Sequence, residues 1–447
     1  MDKRIEIFEK YSIPRAVATL CVPTILGMLI SVVYNMVDTF FVGQTGDPNQ
    51  VAAVSLTMPI FMMLMAIGNI FGIGGGSYIS RLLGEKKYEE IKKVSSYSFY
   101  MCVIAGLVMT FVFIFFMPII LNMSGASEAT YQFGYDYLRF IAYGAPFVVL
   151  SVALGHLVRS EGMARQSTIG MTIGTIINII LDPIMILWMK MGVAGAAIAT
   201  IVGNIASVVY YLVYMLKSGS ILSLSFKDFL PVSFPVLPIY AVGIPVSVNN
   251  ILMSISNLLL NKFASFYGDE VVAGLGISNR VFSMVAMIFI GMGQGLQPFI
   301  GYNYAAKNYS RMNRSVFFAI ASCVVLGTIL LGIAQIFPEE IVGIFIKESS
   351  VMYYGAKILK AQVTFAPILG FMFVFMGVFM ALGKGKQSLL LSVCRQGLVF
   401  VPVLIVANKL LGVDGVIWAQ PLSDLFSVLF SSVMYIILYK KLKRQAL

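Results

Sequence analysis

The sequence predicts an all-α polytopic membrane protein, with about twelve transmembrane helices in two six-helix lobes related by a pseudo-two-fold axis along the membrane normal. Three observations carry the prediction: a composition too apolar for a water-soluble fold, apolar stretches of membrane length along the whole chain, and a repeat that lays the second half over the first.

Of the 447 residues 59% are hydrophobic and only 11% are charged, and the mean hydropathy is +0.90. Water-soluble chains carry roughly 25% charged residues. Apolar stretches cover 16–42, 51–80, 94–121, 131–158, 167–189, 192–217, 240–266, 271–304, 315–337, 352–382, 387–409 and 413–439. Each reaches the ~20 residues with which a helix crosses a ~30 Å hydrocarbon core. The alternating segments of ~10 residues that a barrel needs are absent. The first stretch is long and lacks a small-residue cleavage pattern, so it is expected to be a retained crossing rather than a signal peptide.

The formal charge of +11 raises nucleic acid as a partner, and the placement of the basic residues speaks against it. Arg15, Lys86, Lys87, Arg159, Arg165, Lys217, Lys307, Arg311, Lys384 and Lys440 fall in alternate loops, whereas Asp47, Glu128, Asp269, Glu270, Glu339 and Glu340 fall in the loops between. By the positive-inside rule both termini are cytoplasmic and the number of crossings is even. The basic excess thus reports multi-pass topology in a cell membrane, inner or plasma, and no nucleic acid is expected. Cys21, Cys102, Cys323 and Cys394 lie within apolar stretches, where thiols pack like hydrophobes, and imply neither disulfides nor a metal site. His156 is the one histidine, so the paired His or Ser/His arrangement of a membrane enzyme is missing and no enzyme is expected.

The first crossing joins two irregular residues. Pro23 removes a backbone hydrogen bond and permits a bend, which makes it a candidate hinge. Asp38 costs at least ~2.5–3.5 kcal/mol to place in hydrocarbon, so it needs a purpose or a partner. Sliding the chain on itself by about 221 residues then aligns Pro23 with Pro245, Asn35 with Asn257, Gly72 and Gly74 with Gly293 and Gly295, and Gln166-Ser167 with Gln387-Ser388. The seam runs from about Lys217 to Pro238, through Pro231 and Pro235, and divides a lobe over 1–220 from a lobe over 221–447. Two alike lobes suit alternating access around a midplane site.

Polar groups enter the first lobe at one level from several crossings. Asp38 lies near the outer end of crossing one, Asn178 and Asp182 share a face of crossing five, Thr200 and Asn204 share a face of crossing six, and Tyr137 and Arg139 approach from crossing four. Such oxygen ligands suit either Na+ or a shared proton. The structural alternative pairs Arg139 with one aspartate and leaves Asn and Thr as interhelical glue. The second lobe has Leu260 and Val403 where the first has Asp38 and Asp182, and an ion pair between Arg280 and Asp424 is the expected fate of its intramembrane charges, with Arg395 in addition. The glycines of crossings two and eight lack the Lys-Ser/Thr of a phosphate loop and point to close helix packing. Met58, Phe61, Met62, Met284, Met287 and Gln294 on those crossings are candidates for an adaptable cavity wall, the plainer alternative being packing or lipid contact.

Val51-Ala52-Ala53-Val54-Ser55-Leu56-Thr57-Met58-Pro59, Ser77-Tyr78-Ile79-Ser80-Arg81-Leu82-Leu83-Gly84, Asn178-Ile179-Ile180-Leu181-Asp182-Pro183 and Gly412-Val413-Asp414-Gly415-Val416-Ile417-Trp418 together resemble the multidrug and toxic compound extrusion (MATE) family, most closely its bacterial MepA-like branch. The resemblance spans essentially the whole chain. It implies an antiporter that exports lipophilic, often cationic drugs in exchange for H+ or Na+; a monomer in the bilayer with no other cofactor is expected. It implies a cation site at Asp38, Asn178, Asp182 and Thr200 and a bending role for Pro23; Tyr137 joins the candidates from its depth in crossing four. The acid that some sodium-driven members carry in crossing seven is missing around Ser247 to Ser254. A flippase for a lipid-linked precursor, from the same superfamily, is the alternative, and it would present basic residues to phosphate.

Overall fold

A backbone in hydrocarbon must satisfy its own hydrogen bonds, and a helix does so within one segment. The computed structural model describes residues 3–217, 219–230 and 234–445, and these are helical with no strand among them. Pro231 of the predicted seam lies outside the described residues. The membrane-length helices are α1 (Ile13–Gly43), α2 (Pro48–Gly84), α3 (Tyr88–Met123), α4 (Glu128–Ser160), α5 (Ala164–Trp188), α6 (Gly192–Lys217), α7 (Leu237–Ser265), α8 (Asp269–Ala305), α9 (Tyr309–Ile336), α10, α11 (Gly385–Leu411) and α12 (Val413–Arg444). Most of the turns between them are short, which makes sequence neighbours antiparallel; the connections from α6 to α7 and from α9 to α10 are longer.

Where the sequence predicts one crossing over 352–382, α10 is two helices, Ser349–Val363 and Ala366–Ala381, bent by 55°. Pro367 sits in the first turn of the second helix, where its missing donor costs nothing, whereas in a continuous helix its ring would meet the carbonyl four residues back.

The chain forms two compact units, one of Met1–Ile5 with Leu26–Ile244, the other of Glu6–Ile25 with Pro245–Leu447. The passage from one to the other falls within α1 just past Pro23, and within α7 at Pro245. Each unit therefore holds five whole spans, one outer helix half and one borrowed inner half. The first half of α7 packs on α2, where a Cβ on Gly243 would overlap the backbone of Ile70. The first half of α1 packs on α8, where a Cβ on Gly295 would lie 2.7 Å from Cys21 Cα, and Cys21 Sγ donates to the Met292 carbonyl at 3.6 Å.

The segments ahead of these two helices are fastened in the same way. Before α1, the Phe8 ring stacks on Tyr302 at 4.8 Å, Tyr302 donates to Glu9 at 2.6 Å, and Arg311 donates to the carbonyls of Phe8 and Tyr11, each at 2.6 Å. Before α7, Ser96 and Tyr100 of α3 donate to the carbonyls of Ser225 and Leu224 at 2.7 and 3.1 Å, and the Ser223 amide donates to Ser95 Oγ at 2.8 Å. Glu161, fully buried at the end of α4, accepts from Tyr214 at 2.7 Å, from Ser220 and from the Ile221 amide. The described part of the predicted seam from Ser220 to Ser225 is thus strapped to the first unit.

Candidate functional site

Short loops hold the α1 end at Gly43, the α4 start at Glu128, the α5 end at Trp188 and the α6 start at Gly192 on one side of the first unit. The polar residues near those ends meet inside it. Asp182 is fully buried, and Asn178, Thr200 and Tyr137 are nearly so. Asn178 Nδ2 donates to Thr200 Oγ1 at 3.3 Å, and the Tyr34 hydroxyl lies 3.3 Å from the same oxygen. Asp38 and Asp182 are close enough to interact through their charges, and Tyr34 and Tyr137 stand in the field of both.

This pocket is short of donors. Asp38 Oδ1, Asn178 Oδ1 and both carboxylate oxygens of Asp182 are buried, and none accepts a hydrogen bond. Buried acceptors without a protein donor are costly, and two carboxylates sharing one buried pocket compound the cost. Protons or a hard monovalent cation with oxygen ligands would relieve it, and the donor set fits either. Arg139 does not: its guanidinium lies over the Phe140 ring at 5.0 Å, and no ion pair joins it to either aspartate. Pro183 opens a π-helical turn over Pro183–Trp188 directly after Asp182, so the helix widens where the carboxylate sits.

Sequence inspection places Tyr34 and Ser151 nowhere in particular, yet both belong here. Tyr34 shares a face of α1 with Asp38, at i and i+4, and that spacing was the available signal. Ser151 of α4 donates to Asn204 Oδ1 at 2.6 Å, and Asn204 Nδ2 donates to the Thr200 carbonyl at 2.8 Å. A separate cavity of about 150 Å³ near the loops is lined by Gln50, Asp136, Lys190 and Gly192 and holds none of the residues just described.

In the second unit the expected Arg280–Asp424 pair does not form. Asp424 is paired with Arg395, Nε to Oδ1 at 2.7 Å and Nη2 to Oδ2 at 3.4 Å, while Arg280 is exposed. Arg395 lies in the π-helical turn Cys394–Leu398 of α11, facing its antiparallel neighbour α12, and Gln420 and Ser423 complete the cluster. Counting residues inward from the loops matched the depth of Arg280 but could not see this helix widening. Met58, Phe61 and Met62 lie on α2 of the first unit, and Met284, Met287 and Gln294 on α8 of the second.

Among the described residues, twelve apolar spans in repeated halves, with the bent α10 counted as one and a polar pocket sunk into one half, define a multi-pass membrane transporter. The chain belongs to the MatE family, whose profile it matches over residues 23–184 and again over 245–406. It is 34% identical to the multidrug export protein MepA of Staphylococcus saprophyticus subsp. saprophyticus over 441 residues, which are 99% of this chain and 97% of that protein. The MepA protein of Staphylococcus aureus (strain NCTC 8325 / PS 47) is 33% identical with the same coverage. The fold matches a multidrug resistance MATE family transporter in an outward-facing conformation with a TM-score of 0.94, at 24% identity over 99% of both chains. It matches a MATE protein in complex with MaD3S with a TM-score of 0.93, at 23% identity over 99% of this chain and 100% of that one.

Proposed function

We propose that this transporter is a secondary antiporter that exports lipophilic, often cationic drugs across the cell membrane in exchange for H+ or Na+, by alternating access and as a monomer with both termini in the cytoplasm. The donor-starved pocket of Asp38, Asn178 and Asp182, with Thr200 and Tyr137 at its edge, carries this reading. The names of the MepA relatives support the substrate class.

A cation or proton entering from outside neutralises the carboxylates and relaxes the first lobe, and this lowers affinity for a cationic substrate on the same path. Exchange requires that ion and substrate favour different states; a coupling of about 1–3 kcal/mol between their sites gives roughly 5- to 150-fold reciprocal effects. Met58, Phe61, Met62, Met284, Met287 and Gln294 would line the drug's route, where unbranched thioethers adapt to varied shapes. Pro23 serves as a hinge, a role supported by the change of unit just beyond it.

A flippase needs free basic groups for phosphate, and Arg395 is already committed to Asp424. The deciding measurement is efflux of a fluorescent organic cation from proteoliposomes under an imposed pH gradient and then a sodium gradient. Asp182→Asn should cut gradient-driven efflux by about tenfold or more while folding normally. Wild-type efflux in that variant rejects the assignment.

A further inference from the structure

Thr200 is unlike other threonines of the spans. Thr24, Thr39 and Thr328 each donate to the carbonyl four residues back in their own helix, at 2.8 Å. The Thr200 hydroxyl makes no such bond and instead sits between Asn178 and Tyr34, 3.3 Å from each. Two long contacts hold it where one shorter backbone bond is the local alternative, so its direction depends on how α6 is set.

That setting is fixed one turn away. Asn204 donates through Nδ2 to the Thr200 carbonyl at 2.8 Å, which leaves Oδ1 as the acceptor. Ser151 Oγ lies 2.6 Å from that oxygen and 2.9 Å from its own Val148 carbonyl. A hydroxyl has one proton to give, and the shorter distance to a committed acceptor assigns it to the bridge. The bridge ties α4 to α6 beside Thr200. On its other side α6 meets α5 backbone to backbone at Gly203, where a Cβ would lie 2.6 Å from the Gly174 carbonyl, and Ser207 Oγ donates to the Gly170 carbonyl at 3.0 Å one turn further on. Near Thr200, rotation of α6 is therefore resisted by contact with α5 on one side and by the Ser151–Asn204 bridge to α4 on the other, while Tyr211 and Tyr214 bond the Ser167 carbonyl and Glu161 towards the far end of the helix.

We propose that Ser151 and Asn204 are positioning residues for the coupling site: their bridge sets the rotation of α6 that aims Thr200 Oγ1 at Asn178, and so tunes affinity for the coupling cation without touching it. This rests on the antiport reading of the pocket. Efflux of a fluorescent cation from proteoliposomes is measured against the concentration of the driving ion, as a pH or Na+ titration. Ser151→Ala and Asn204→Leu should raise the half-activating ion concentration about three- to tenfold, the range expected for one lost hydrogen bond, with the maximal rate within about twofold of wild type. Ser151→Thr keeps the hydroxyl and should restore the wild-type titration. An unchanged half-activating concentration, or a fall in maximal rate alone, overturns the proposal; if Asn204→Leu does not fold, Ser151→Ala, which removes one oxygen, decides it. Asp182→Asn separates the two failures: if it retains ion-driven efflux the antiport reading fails, whereas its inactivity beside a wild-type titration of Ser151→Ala refutes the positioning pair only.

Discussion

Asp38, Tyr137, Asn178 and Asp182 in the first lobe correspond through the repeat to Leu260, Ile358, Val399 and Val403 in the second. The first set is a polar pocket with orphaned oxygens, while Leu260 and Ile358 are buried in an apolar core with Phe400 and Leu404, against which Val403 packs. One ancestral six-helix plan thus carries a chargeable interior in one copy and an inert one in the other. Charge returns to the second lobe elsewhere. Gly174, which lets α5 and α6 touch, corresponds to Arg395, and Asn204 corresponds to Asp424, so a buried ion pair stands where the first lobe has a glycine contact. A partner within bonding distance makes the second arrangement self-sufficient; the carboxylate oxygens of Asp182 in the first have no such partner.

A third contrast explains the bend in α10. Pro146 of α4 and Pro367 of α10 are equivalent, and each is approached by an equivalent glycine, Gly106 or Gly327. Pro146 leaves the Ala142 carbonyl without its helical donor, and Thr110 Oγ1 supplies one at 2.7 Å. The position equivalent to Thr110 is Leu331, which has no hydroxyl. α4 runs unbroken from Glu128 to Ser160, and α10 parts between Val363 and Ala366.

Breaking the ion pair should have the largest effect on stability. Arg395→Met strands Asp424 in the core and should cost about 3–5 kcal/mol, and the double variant Arg395→Met/Asp424→Leu should recover most of it, as read by thermal unfolding in detergent. No recovery would mean that the pair does more than neutralise itself. Next, Val403→Asp moves the chargeable feature into the inert lobe without its partners and should cost about 2.5–3.5 kcal/mol, the insertion penalty of an aspartate, seen as reduced folded yield. An unaffected yield would show that the second core is as tolerant as the first. The smallest effect belongs to Thr110→Val, which orphans one carbonyl and should cost about 1–3 kcal/mol, with a local rise in α4 amide exchange around Ala142. Unchanged exchange would refute the hydroxyl's part in keeping α4 whole.

The spans were legible because hydropathy is a sum over many residues and tolerates local error. Asp38, Asn178 and Asp182 stood out because any acid or amide in a membrane-length apolar run is exceptional. Ser151 did not, since small hydroxyls abound in such helices and most bond their own backbone. Asp424's partner was misread because depth counted in residues assumes regular helix, and Arg395 sits in a π turn. Glu161 lies in a loop-proximal stretch where acids are ordinary, so nothing in its neighbourhood marked it as fully buried. The break in α10 needed a comparison of Thr110 with Leu331 across the repeat, a distinction that only a tertiary contact makes meaningful.

The exchange of helix halves at Ile25 and Pro245 bears on how the chain is made. The inner half of α1 leaves the ribosome some 270 residues ahead of its packing partners on α8, around Met292 and Gly295. At about 5–20 residues per second it waits roughly 15–50 s with its contact face bare to lipid or to the insertion machinery. Biogenesis therefore cannot finish one lobe before starting the other, and severing the strap after Lys217 would yield two fragments that mature only when synthesised together.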